Sequence, residues 1–479
     1  MKKANFGAFL GFFIFICFST GIALGKFISH FWFLAILAAL SFLAAGYFYR
    51  KKNAFACDAA ILAVFIFLGA VWSVSYSFYY NEEPFLSQNR KFSLKVVSLP
   101  KASSLRNTCK AKIYSVESRP VGFSVFVVDY SGKLEYLNRY EVTGKLTKSN
   151  YRGNAFFLWV KKNSKVKKLP LTLRERITKS VNKYILRVFE ENCNQESCNF
   201  LGAIFLGRRE LIGAQKDIFA SAGVSHLLAI SGLHIGLTAL LLFFLLKMAG
   251  FSHKACLIIS LLFLSWYTLL TGVSASTLRA LIMYAVFVIG FFLRRRVKLL
   301  NSLGLAGLFI LIWDPEMLFN PGFQLSFVSV LAIIVGFKLF GPVSAVNPAY
   351  YYLKQIFLCS LFVTFFITPL VSYYFGRVYL LSTLYNLLLI PFFTLILGLN
   401  FFLVIFSFCP FIAKSLGALI SLMISFFIQG TGILSSSRLS FIECRFSVKA
   451  MVIYYVILSA AVGLFFAAAK NARMAKEAI

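Results

Sequence analysis

Polar side chains capable of chemistry are scarce in the apolar runs of this chain, and those present are grouped. The densest group lies between Ala220 and Gly236. There His226, Ser231 and His234 stand among leucine, isoleucine and alanine, with Gly223, Gly232 and Gly236 interspersed. Ser225 precedes the first histidine. Further along, Arg279 falls in a run of small and hydroxyl residues, Asp314 precedes Pro315, Gln324 and Ser326 open an apolar run, and Asn386 is followed by Pro391. Two histidines eight residues apart on one helix would lie about 80° apart at 3.6 residues per turn, so both can face one interior. No carboxylate or cysteine sits at ligand spacing beside them, which disfavours a metal site. Asp58, near the start of the third span, is the one carboxylate in the spans, and none lies near the histidines in sequence to serve acid–base work. Burial disfavours the charged form of histidine, so both rings are expected to be neutral, each with one donor and one acceptor. The competing reading is packing: small residues let helices approach closely, and hydroxyls hydrogen-bond between them. For Arg279 the alternative to an interior position is snorkelling to the membrane surface. Its place five residues inside the segment favours the interior.

The elements that must hold these residues are membrane helices. Of 479 residues 59% are hydrophobic and 14% charged, with mean hydropathy +0.79. A soluble chain is about 45–50% apolar with roughly 25% charge. Runs of about 20 apolar residues match a bilayer core of roughly 30 Å. The fold class expected is a polytopic α-helical membrane protein of about 11–12 spans with a small inserted external β-barrel. Candidate spans lie at 6–25, 29–49, 55–79, 226–246, 255–271, 275–293, 299–313, 322–340, 355–375, 379–408, 411–434 and 450–469. The 379–408 run, interrupted by Pro391, and the short 299–313 run are the weak points, where a broken or re-entrant helix is the alternative to a full span. Lys2, Lys3 and the first apolar run resemble a signal peptide but lack a small-residue cleavage site, so they are read as a retained anchor. Arg50–Lys52, Lys247, Lys254, Arg294–Arg296, Lys298, Lys338, Lys354 and the C-terminal Lys470, Arg473 and Lys476 all fall on one side if the spans alternate. By the positive-inside rule that side is cytoplasmic, with both termini on it.

The net charge of +32 exceeds what such loops explain. Residues 81–190 hold 23 Lys/Arg and 8 Asp/Glu, a net of +15. Their period-2 runs, bounded by turn residues, predict strands. Domain boundaries are expected at 1–80 (three spans), 81–170 (an external β-domain like the oligonucleotide-binding barrel), 171–224 (amphipathic interfacial helices), 225–470 (a helical membrane domain) and 471–479 (a cytoplasmic tail). A basic β-domain with strand aromatics suits single-stranded nucleic acid, with Lys133, Tyr140, Lys145, Arg152, Phe156, Trp159 and Lys161 as candidate contacts. A positive surface facing anionic lipid heads is the equal alternative. Nine cysteines include no Cys-x-x-Cys. Cys109, Cys193 and Cys198 are the ones placed outside, where pairing is permitted.

The run Ser225-His226-Leu227-Leu228-Ala229-Ile230-Ser231-Gly232-Leu233-His234 resembles the signature of the ComEC family of competence proteins. Arg279-Ala280, Asp314-Pro315, Gly322-Phe323-Gln324-Leu325-Ser326-Phe327, Thr368-Pro369, Asn386 and Pro391 follow in the matching order. The resemblance covers nearly the whole chain. It implies an external oligonucleotide-binding-like domain and a helical channel in a bacterial inner membrane that passes one DNA strand inward. The channel set on this reading is Ser225, His226, Ser231, Gly232, His234, Gly236, Arg279, Asp314, Gln324, Ser326, Asn386 and Pro391. Many relatives add a metallo-β-lactamase-like domain. This sequence has four histidines and no His-x-His-x-Asp-His run, so it is not expected to be an enzyme, and no metal or cofactor is expected. The partners expected are single-stranded DNA and membrane lipids, with an external DNA receptor, a cytoplasmic helicase-like motor and a separate nuclease as candidates. No Walker-type phosphate loop is present, so the driving force would come from elsewhere. Two rivals are a small-solute secondary transporter, which usually shows an internal repeat, and a membrane enzyme acting on a lipid-linked substrate.

Overall fold

The computed structural model describes residues 9–27, 31–51, 54–79, 86, 88–102, 106–117, 119–149, 155–213, 215–340, 348–437 and 440–477. It resolves into two compact units. One comprises Ser75–Glu191 with Arg208–Leu211, and the other comprises Met1–Val74, Asn192–Gly207 and Ile212–Ile479. The contact boundary differs from the sequence-based one because the chain returns to the first unit at Arg208. There Arg208 lies over the Tyr136 ring (4.3 Å) and Glu210 Oε1 accepts the Leu99 N–H at 2.9 Å.

The first unit is a barrel of five strands: Asn89–Val96, Asn107–Val116, Ser124–Asp129, Arg139–Ser149 and Ala155–Val160. They are joined in the order first, second, third, fifth, fourth, and closed by first–fourth pairing. All pairings in this ring are antiparallel except third with fifth, which is parallel. Closure of five strands in this Greek-key order is the architecture of the oligonucleotide-binding fold. Alternation explains the core: Phe92, Leu94, Val96, Ala111, Ile113, Val125, Val127, Val142, Leu146, Leu158 and Val160 all point inward. At Gly144 a Cβ would stand 2.7 Å from the Trp159 carbonyl, so the fourth strand needs glycine where the fifth crosses it. Helix α4 (Leu173–Asn192) follows. Its Glu175 is bound by Lys95 at 3.1 Å and Arg139 at 3.3 Å, and it accepts the Thr172 N–H at 3.0 Å. Thr172 and Glu175 thus make the N-terminal capping pair of α4.

In the second unit, nine described helices are long and apolar enough to cross a membrane, and three shorter apolar ones (Leu10–Gly25, Gly232–Met248, Leu299–Trp313) join them. With many exposed apolar side chains, Phe42, Leu43, Trp313, Phe411, Ile433 and Leu464 among them, this is a multi-pass membrane protein, since no soluble monomer exposes so much apolar surface. Helix α1 (Leu10–Gly25) is held by glycine contacts. A Cβ on Gly21 would run into the Ile66 carbonyl of α3 (Ala54–Tyr79), and one on Gly69 into the Phe18 carbonyl. Phe18 and Ile22 also join a cluster with Leu303, Ile310, Phe323 and Phe327, tying α1 to α10 (Leu299–Trp313) and α11 (Pro321–Phe340).

Several boundaries depart from the sequence reading. The span expected at 226–246 begins at Gly232 as α7 (Gly232–Met248). Ser225–Leu228 form a separate 3-10 turn, and Ala229 is extended. The 379–408 run is unbroken. It is one helix, α13 (Ser382–Ile405), with Pro391 inside it, and Arg377–Tyr379 instead pair with Phe441–Glu443 as a small two-stranded ladder. The 299–313 run is α10, 15 residues or about 22 Å long, short of a bilayer core. The stretch 171–224 is not uniformly interfacial: α5 (Gln195–Leu206) is buried from Ser197 to Leu206 except at Asn199, with Phe200 tilted against Phe219 and edge-on to Phe427.

Candidate channel residues and nucleic-acid interface

The histidine segment is shaped by its local backbone. Gly223 has φ +74°, and a Cβ there would stand 2.8 Å from the Tyr379 ring, so neither the conformation nor the space admits a side chain. His226 lies exposed on the 3-10 turn Ser225–Leu228. Ser231 caps α7: its Oγ accepts the Leu233 N–H at 3.2 Å, and His234 Nδ1 accepts the Ser231 N–H at 3.2 Å. This is a capping box with histidine where glutamate or glutamine is usual. A ring nitrogen that accepts a backbone N–H carries a lone pair, so His234 is the neutral Nε2–H tautomer. The two histidines therefore do not share one helix face, which corrects the spacing argument. His234 is buried, edge-on to Phe393 of α13 at 5.5 Å. With Thr238, Tyr267 and Phe205 it borders a cavity of about 10 Å³, room for one water.

Arg279 sits in α9 (Ala275–Phe292) and is buried, with 6% of its surface exposed. It donates through Nη1 to the Ser326 carbonyl of α11 and lies 5.9 Å from the Phe327 ring. Its Nη2 lies 3.0 Å from where a Cβ on Gly232 would stand. Ser276 Oγ donates to the Ile230 carbonyl at 2.9 Å, joining α9 to the segment before α7. Gln324 Nε2 donates to Leu318 O at 2.8 Å and its Oε1 accepts from Tyr374 at 3.0 Å. Asn386 Nδ2 donates to Ser360 Oγ at 3.0 Å, binding α13 to α12 (Pro348–Phe375). Asp314 caps the 3-10 turn Pro315–Phe319 through the Glu316 N–H at 3.0 Å. A Cβ on Gly236 would meet nothing within 4 Å among the described residues. It is not a close-packing glycine, unlike Gly232. Ser231, Gly232, Arg279 and Ser326 are thus brought together. Gln324, Asn386 and Asp314 each serve a separate joint. Asn400 was not singled out from sequence. It is fully buried in α13, with neither amide atom partnered among the described residues, and an asparagine in so apolar a run was the available signal.

On the barrel, the outer row across the second, third, fifth and fourth strands reads Lys110, Phe126, Phe157, Thr147. Phe126 and Phe157 stack at 5.5 Å, and Lys110 lies over the Phe126 ring at 5.1 Å. Beside them Trp159 pairs with Lys145, stacks on Tyr130 at 6.5 Å and donates to Thr147 Oγ1 at 2.9 Å. Lys133, Lys145 and Lys161 are exposed. Two candidates are displaced. Tyr140 is 3% exposed in the barrel core, its hydroxyl taken by the Glu135 N–H, and Phe156 packs on that core against Phe123. Arg152 lies outside the described residues. Phe126, Tyr130 and Phe157 are the aromatics sequence reasoning missed. The three cysteines expected to be available for pairing are free thiols, and burial, with Asp129 nearby, pushes Cys109 up to about 12.

Residues 204–468, more than half of the chain, match the family model described as Competence protein. The chain belongs to the competence protein family. The match takes in the whole channel set from Ser225 to Pro391. Among relatives of this chain, ComE operon protein 3 of Bacillus subtilis (strain 168) is 31% identical over 216 residues, 45% of this chain and 27% of that protein. An uncharacterized protein of Aquifex aeolicus (strain VF5) is 28% identical over 230 residues, 46% of this chain and 55% of that one. The chain thus spans about a quarter and about half of these two relatives. No solved structure matches it.

Proposed function

We propose that this chain is the inner-membrane conduit that admits one strand of DNA during natural transformation. The observation that carries the reading is the family match over the helices that hold the histidine segment and Arg279. The barrel supports it independently. Its outer face offers stacked aromatics flanked by lysines, the combination that holds single strands without reading sequence. Counterion release from the strand supplies the attraction and makes it salt-dependent. The channel set then lines the path or holds its shape. Ser231, Gly232, His234, Arg279 and Ser326 do so at the meeting of α7, α9 and α11, and Gln324 and Asn386 at the joints to α12. Basic residues at the C-terminal ends of α7 (Lys247), α9 (Arg294–Arg296) and α11 (Lys338) favour a cytoplasmic position for those ends, which leaves the barrel outside. The chain acts as a conduit and not as a hydrolase. An external receptor, a cytoplasmic motor and a nuclease are the candidate partners of such a conduit. Deleting the gene in its host tests this. The cells should still bind DNA at the surface yet yield no transformants, and a plasmid copy should restore them. Undiminished transformation in the deletion strain refutes the reading.

A further inference from the structure

Arg279 is a buried cation in a membrane helix, and none of the ion pairs among the described residues includes it. One nitrogen is satisfied by the Ser326 carbonyl, and Nε has no partner among the described residues. Its Nη2 faces Gly232, the first residue of the 17-residue helix α7. Two positive elements therefore meet: a guanidinium and the N-terminal end of a helix dipole. A third is close by, since Ser276 in the first turn of α9 reaches Ile230 just before α7. Proteins do not hold a buried charge without an opposite charge unless something supplies one. The spot is open on one side: Leu233, Gly272 and Val273 are exposed, and Ser231 and Gly232 are half-exposed. Glycine at 232 keeps the guanidinium clear, because any Cβ would press on Nη2.

We propose that Arg279 and the N-terminus of α7 form an anion step that takes a phosphodiester, one linkage at a time, from the passing strand. The guanidinium fork matches two oxygens of a phosphodiester and stays charged at any working pH. Backbone N–H groups at a helix N-terminus favour the same anion. The inference rests on the conduit reading and adds to it the chemical group that is recognised. A lipid headgroup carries the same phosphodiester, so the test must separate the two sources.

The full chain is reconstituted in proteoliposomes and given two single-stranded oligonucleotides of one sequence. One has natural linkages, and the other has a central block of uncharged methylphosphonates. Wild type should take up the natural strand roughly tenfold better, the scale of one charge-assisted hydrogen bond. In Arg279→Gln this ratio should fall toward one, and Arg279→Lys should keep part of it. Gly232→Ala retains the charge but crowds Nη2, and its ratio should fall too. If Arg279→Gln lowers uptake of both strands together, leaving the ratio as in wild type, Arg279 is only a pin between α9 and α11 and the site is refuted. Equal uptake of both strands by wild type refutes it as well. So does native mass spectrometry that finds a phospholipid bound to wild type and lost in Arg279→Gln while the ratio is unchanged. Wild type that admits neither strand overturns the conduit reading, and this site with it.

Discussion

His234 Nδ1 accepts the backbone N–H of Ser231 at 3.2 Å, closing the N-terminus of α7 with an imidazole. The bond assigns the ring a structural task, because the same lone pair cannot hold a proton or a metal. Glutamine is an ordinary residue at that capping position. His234→Gln should therefore retain a large part of transformation, whereas His234→Leu leaves the Ser231 N–H unpaired at a cost of about 1–3 kcal/mol and should reduce it at least tenfold. Transformation frequency at matched membrane abundance reads the difference. Equal loss in both variants contradicts the capping role.

Gly223 and Gly236 should respond oppositely to alanine. Gly223→Ala forces a Cβ against Tyr379 at φ +74° and should destabilise the protein by about 1–3 kcal/mol. Gly236→Ala meets nothing within 4 Å among the described residues and should be neutral, or stabilising by up to about 1 kcal/mol through helix propensity. Thermal unfolding of the detergent-solubilised chain distinguishes them.

Much of this was legible in the sequence, and the failures have physical reasons. Apolar runs of bilayer length announce the helices directly. Period-2 alternation announced the strands, yet Phe156 and Trp159, chosen together as stacking residues, are three apart and so lie on opposite faces of one strand. Phe157 is the residue that shares the outer face with Trp159. The start of α7 was misplaced because no proline or glycine marks the break at Ala229, and histidine is an unusual partner in a capping box. Pro391 was over-read. A proline interrupts a helix in water but is tolerated in a membrane helix where neighbours satisfy the freed carbonyl. The meeting of Arg279 with Gly232, 47 positions earlier, and with Ser326, 47 positions later, is tertiary and has no signature in any local window.

Glu175 should anchor α4 to the barrel in a pH-dependent way. Burial pushes its carboxyl up, but the Thr172 N–H and the Lys95 ammonium outweigh this and hold it below the ordinary glutamate value. A depressed folded-state value contributes stability that is present above the unfolded value of about 4.3 and is lost as the pH falls through the folded one. Glu175→Gln should remove this dependence and cost about 1–3 kcal/mol near neutral pH. Hydrogen exchange of barrel peptides in the full chain, corrected for intrinsic rates, checks both. Unchanged protection in the variant contradicts the anchor.

The aromatic face should carry strand binding. Phe157→Ala and Trp159→Ala should each weaken oligonucleotide binding by about 1–3 kcal/mol, with the remaining affinity still falling steeply with salt. Tyr140→Phe removes only a buried hydroxyl and should leave binding unchanged. Fluorescence anisotropy with the full chain in detergent measures all three. Loss in Tyr140→Phe with none in Trp159→Ala would move the interface elsewhere.

Uptake by the purified chain is the most direct test of the conduit reading. Proteoliposomes are given end-labelled single-stranded DNA under an inward driving force, then external nuclease, and the protected label is counted. Wild-type vesicles should protect strand well above protein-free vesicles, and His234→Leu vesicles should not. A strand left wholly digestible by wild-type vesicles that nonetheless move a small solute contradicts the conduit reading and favours a transporter.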